Sequence, residues 1–117
     1  YAAGRFNYGI ALARAKRFGE ARHQIELLLR ANPASAEGHD LLGNLFAAKG
    51  SVRAALDQYR EAVRIRPEFG RAQLDLGTLL ADLGDVPGAL PYLQKAAGSP
   101  DRAVHEEATQ TLRHLGK

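Results

Sequence analysis

The chain has 117 residues, 45% hydrophobic and 25% charged, with 16 Lys and Arg against 13 Asp and Glu. That is enough apolar material for a core, in a balance ordinary for a globular chain and too apolar for a disordered one. There is no cysteine, which excludes disulfides, thiolate metal sites and cysteine nucleophiles. No run of about 18 apolar residues exists to span a membrane, and residues 1–17 lack the basic-then-apolar pattern of a secretory leader. A net charge of +3 is too small an excess to point to nucleic acid. The chain also lacks methionine, so Tyr1 is expected to be an internal residue of a longer polypeptide or the start of a processed or excised fragment.

Apolar residues recur three and four apart, the helical spacing, and no stretch alternates as a strand would. The pattern predicts helices over about 2–15 and 18–31, turning at Lys16–Arg17 and closing at Pro33. A second pair is predicted over about 36–48 and 52–65. Gly50–Ser51 reads as a helix stop followed by an N-cap, and Pro67 closes the pair. A third pair covers about 70–82 and 86–97, with Gly84–Asp85 at its turn and Pro100 beyond it. Val104, Ala108, Leu112 and Leu115 then form one apolar stripe, with Glu106, Glu107, Gln110 and Arg113 off it, predicting a last helix over about 104–115.

These pairs are copies of one unit. Gly9, Gly43 and Gly77 are spaced 34 and 34 residues. The same period links Ala21, Ala55 and Ala89; Tyr8, Leu42 and Leu76; Leu12, Phe46 and Leu80; Ile25, Tyr59 and Leu93; and Leu28, Ala62 and Ala96. Pro33 and Pro67 keep it, and Pro100 comes one residue early. Each class has a physical duty. Glycine inside a helix costs about 1 kcal/mol against alanine, so three in step imply close approach of a partner helix. Ala21, Ala55 and Ala89 are the expected facing positions. Proline ends the second helix because it lacks a donor and disfavours helix in the residue before it.

The pattern resembles the tetratricopeptide repeat (TPR) family. The second unit carries the resemblance most fully, with His39, Leu42, Gly43, Phe46, Ala55, Tyr59, Ala62 and Pro67. His39 departs from the large residue, often Trp, that the family prefers; Arg5 and Gln73 hold the same place in the other units. The resemblance implies an all-α, right-handed α-α superhelix (a TPR solenoid) of three helix-turn-helix repeats, about 2–35, 36–69 and 70–103, plus a C-terminal capping helix. Residues 1–117 are expected to form one TPR domain. The last helix looks like the solvating helix that ends such arrays, whereas the amino end shows no matching cap.

No catalytic or metal constellation stands out. His23, His39, His105 and His114 lack ligand spacing with a carboxylate companion, and Ser35, Ser51 and Ser99 sit at predicted turns where N-capping accounts for them. The chain is therefore expected to be no enzyme and to use no cofactor or metal. In similar proteins the first helices line a concave groove that binds peptides. The residues facing away from the Gly/Leu packing side are Phe6, Asn7, Ile10 and Arg14, then Asp40 and Asn44, then Arg71, Asp75, Thr78 and Asp82. Asn7 and Asn44 lead this set, because an amide both donates to and accepts from a peptide backbone. The basic clamp of chaperone-binding TPR proteins would need cations where Phe6, Ile10 and Asp75 stand, so capture of a terminal carboxylate is disfavoured. Arg22, Arg30, Arg53, Arg60 and Arg64 fall on second helices, where Glu26, Asp57 and Glu61 lie at pairing distance along the chain. The expected partner is a protein or peptide segment, not nucleic acid. The alternative is homo-oligomeric self-assembly by stacking of the uncapped amino-terminal helices. A soluble protein, cytoplasmic rather than periplasmic and of bacterial type given its Ala, Arg and Gly content, is expected.

Overall fold

The structure is a computed structural model that describes residues 4–116 in full and the backbone of residues 2 and 3; Tyr1 and Lys117 lie outside the described residues. Seven helices run through them in chain order: α1 (Ala2–Arg14), α2 (Phe18–Ala31), α3 (Ala36–Lys49), α4 (Val52–Ile65), α5 (Gly70–Asp82), α6 (Val86–Ala97) and α7 (Arg102–His114). Bounds match the expected ones within two residues because the signals that set them are local. Ser35 accepts from Gly38 N–H at 3.0 Å, Asp85 accepts from Gly88 N–H at 3.0 Å, and Asp101 accepts from Ala103 N–H at 3.0 Å. Each satisfies a donor that the first turn leaves without a helical partner. Ser99 is not the cap of α7; its hydroxyl accepts from Asp101 N–H at 3.1 Å and holds the true cap in place.

The turn inside each pair is the same motif three times. Arg17, Ser51 and Asp85 N–H groups donate to the Leu12, Phe46 and Leu80 carbonyls at 2.8, 2.9 and 2.9 Å. The residue preceding each donor is left-handed: Gly50 at φ 86°, Gly84 at φ 89°, and in the first pair Lys16 at φ 62°. This is the six-to-one closure that glycine normally serves at a helix C-terminus. Lys16 takes the same conformation against the steric preference of an L-residue.

Two compact units divide the chain, residues 1–65 and 66–117. In the first, α1 packs on α2, α2 on α3 and α3 on α4; in the second, α5 packs on α6 and both meet α7. Most of the core belongs to the periodic set. Ala21, Ala55 and Ala89 are fully buried, as are Ile25 and Leu93, with Tyr59 4% exposed. Burying each of those three large side chains contributes about 2–3 kcal/mol.

The nearest neighbours of these glycines are not the expected alanines, although the Ala21 carbonyl oxygen lies 3.8 Å from a Cβ placed on Gly9. A Cβ on Gly9 would lie 2.6 Å from Ile25 Cδ1, one on Gly43 2.6 Å from the Tyr59 ring, and one on Gly77 2.8 Å from Leu93 Cγ. The large residue one turn beyond each alanine lies across the glycine, and the alanine lets the helices close. His39 and Gln73, in place of a large apolar residue, make one polar contact twice. His39 Nε2 lies 2.8 Å from the Pro33 carbonyl oxygen, and Gln73 Nε2 donates to the Pro67 carbonyl. His39 Nδ1 also lies 2.7 Å from Gln58 Oε1, tying α3 to α4. Pro91 sits inside α6 on its exposed side, where the carbonyl it leaves unpaired belongs to exposed Pro87. None of the described helices is long and apolar enough to cross a membrane.

Candidate functional site

In the first unit, α1 presents Asn7 and Arg14 to solvent, with Ile10 half-buried. Phe6 is half-buried and packs against the core built on Leu12, Ala21, Ile25, Leu42 and Leu45. On α3, Asp40 is only 5% exposed and belongs to the interior rather than the open face. Asn44, one turn on, is exposed, and its Oδ1 accepts a hydrogen bond from the Tyr59 hydroxyl at 2.6 Å. That bond fixes the amide orientation: its oxygen is turned to α4, and its NH₂ is left to donate outward. Tyr59 thus adds an orienting role to its packing role over Gly43, which the repeat pattern alone did not distinguish.

In the second unit, Arg71, Asp75 and Thr78 are half-buried and Asp82 is exposed, all along one side of α5. The facing helix is α7. Arg71 Nη1 lies 3.4 and 3.5 Å from the two Glu107 carboxylate oxygens. Beyond this pair a cleft of about 460 Å³ opens between the helices. Thr78, Ala81 and Asp82 form its α5 wall; Glu107, Gln110, Thr111, His114 and Leu115 form the other. Sequence reasoning missed the α7 wall, although positions 107, 110, 111 and 114 share a helical face that borders the buried Val104 and Ala108.

The arginines of the second helices behave as surface groups. Arg22 pairs with Glu26 at 3.3 Å and also lies 5.0 Å from the Phe46 ring centroid. Arg64 pairs with Glu61 and, chiefly through that hydrogen bond, holds the Glu61 carboxyl below its ordinary range. Among the described residues, no group of three or more His, Asp or Glu is gathered as a metal site would require.

Helix hairpins with a glycine under a large residue at a fixed period define a class, the α-helical repeat scaffolds. A tetratricopeptide-repeat family model matches residues 41–103, and the chain belongs to that family. Its fold class is the all-α tetratricopeptide superhelix. The crystal structure of YrrB, described as a TPR protein with an unusual peptide-binding site, aligns with a TM-score of 0.81 and 25% identity, covering 99% of this chain and 61% of that one. MamA aligns with a TM-score of 0.75 at 20% identity over 97% of this chain and 61% of its own. Among curated proteins, the chain is 37% identical over 90 residues to the probable biofilm formation methyltransferase WspC of Pseudomonas putida, covering 76% of this chain and 21% of that protein. It is 29% identical over 113 residues to protein FlbA of Caulobacter vibrioides, covering 93% of this chain and 19% of that one. The chain thus spans about a fifth of the length of these relatives.

Proposed function

We propose that the chain is a non-catalytic protein-interaction module whose first helices offer binding faces for extended polypeptide, α3 in the first unit through Asn44 and α5 in the second through the side that carries Arg71, Asp75, Thr78 and Asp82. The observation that carries this reading is the Tyr59–Asn44 hydrogen bond. A surface amide held at one fixed orientation costs less to immobilise on binding than a free one, and its outward NH₂ suits a backbone carbonyl. The peptide-binding site in the description of YrrB supports the same use of the fold. Glycine usage agrees, since Gly9, Gly43 and Gly77 serve helix contact rather than a cofactor loop. In a longer protein of the WspC kind, we place any methyl transfer outside these residues and give them the docking of a partner.

Asn44→Asp tests this. The carboxylate keeps an acceptor for Tyr59 but loses the outward donor. A peptide that binds the parent chain should bind this variant about five- to tenfold more weakly, with the thermal midpoint little changed. Equal affinity for both would remove Asn44 from the site.

A second reading, self-assembly through α1, is favoured by Tyr8, which is 50% exposed where its periodic equivalents Leu42 and Leu76 are 5% and 0% exposed. Sedimentation over a concentration series decides it: a species that stays monomeric at high concentration ends this reading.

A further inference from the structure

We propose that the α5/α7 cleft of the second unit receives a lysine or arginine side chain of the bound segment, with Asp82 as its counter-ion. The proposal rests on the peptide-binding reading above and gives one subsite its chemistry. Two carboxylates line the cleft, Asp82 and Glu107, and among the described residues no lysine or arginine does. Glu107 already holds a guanidinium, that of Arg71 at the edge of the cleft, with Nη1 at 3.4 Å. The chain itself thus shows that a cation seats against this face of α7. Asp82 has no ion-pair partner among the described residues. Ala81 and Leu115 offer apolar surface to the aliphatic stem of such a side chain, and Thr78 and Gln110 offer oxygens to its donors. The charges stay at the mouth of the cleft, in reach of water, so the pair forms without the desolvation penalty of a buried one. Its strength is correspondingly modest and salt-dependent.

Arg71 acts in this scheme as an internal competitor. Its removal frees Glu107 and leaves two unpaired carboxylates to attract the incoming cation, so the loss of a residue beside the cleft should tighten binding. A residue that merely shapes the cleft would not behave in this way.

The test pans a random heptapeptide phage library on the 117-residue chain and titrates the enriched peptides, made synthetically, against the parent, Asp82→Asn and Arg71→Ala chains. The expected result is a shared Lys or Arg whose replacement by norleucine weakens binding about three- to tenfold. Asp82→Asn should weaken it by a similar factor, and the two changes together should cost no more than either alone, the signature of a direct pair. Arg71→Ala should tighten the lysine peptide about two- to fivefold. Enriched peptides that lack a basic residue, or whose binding ignores both norleucine and Asp82→Asn, overturn this proposal. If those peptides still lose affinity on Asn44→Asp, the peptide-binding reading stands without the cation subsite. If no peptide is enriched at all, both fail.

Discussion

The first helix and the last occupy the two terminal places in the chain and are built on opposite principles. In α7 the apolar Val104 and Ala108 are buried, to 1% and 0% exposure, and Leu112 is half-buried, while Glu106, Gln110 and Arg113 are exposed. Asp101 caps the helix, and Arg102 pairs with Glu106 at 2.9 Å along its surface. In α1 the repeat's own apolar position is exposed at Tyr8. Gly38 of α3 is pressed by Leu28 and Leu29 of α2, where an added Cβ would lie 2.9 and 3.0 Å away, yet its periodic equivalent Gly4 has nothing within 4 Å. The same template thus leaves a polar outer face on α7 and a half-exposed apolar position on α1. A repeat specifies how neighbours stack, and residues that break the period change what a face presents.

That contrast can be broken or sharpened by substitution. The largest effect belongs to the shared template. Gly43→Leu drives a side chain into the Tyr59 ring and should cost about 3 kcal/mol in urea unfolding followed by circular dichroism. A near-neutral result would sink the whole register. Next comes the difference between α7 and α1. Val104→Ala should cost about 2 kcal/mol, whereas Tyr8→Ala should cost under about 0.5 kcal/mol because the ring is half in water already. Equal losses would mean that the face of α1 is not open. Lys16→Gly should stabilise by about 0.5–1 kcal/mol, because glycine removes the left-handed penalty at φ 62° but brings a more flexible unfolded chain. The smallest shift is Gly4→Ala, a gain of about 0.5 kcal/mol in thermal melts, opposite in sign to Gly38→Ala.

Helix bounds were legible because caps, prolines and apolar spacing act within a few residues. Contacts between helices were less so. Whether Gly43 meets Ala55 or Tyr59 turns on the crossing of two helices, and those residues are one turn apart on the same stripe. The left-handed Lys16 carried a signal that the residue type hid, since it falls 34 residues before Gly50. Asp40 and Asn44 share a side by the four-residue rule, but four residues advance the helix by about 40° beyond a full turn. Because α3 is covered by both α2 and α4, that drift is enough to bury Asp40 and leave Asn44 outside. In α7 the residues off the apolar stripe read only as solvated, and the cleft they make with α5 needed the packing of both helices to be seen.

The glycine contacts also bear on how the chain finds this structure. Gly9 meets Ile25, Gly43 meets Tyr59 and Gly77 meets Leu93, each bridging 16 residues of sequence. Closing so short a loop loses little chain entropy, and doubling its length would add only about 0.6 kcal/mol. The tightest side-chain packing in each hairpin therefore forms between segments that diffuse together quickly, and no distant partner has to be found first. Low separation of this kind goes with folding in microseconds to milliseconds. Each hairpin can then serve as a nucleus on which the next one grows.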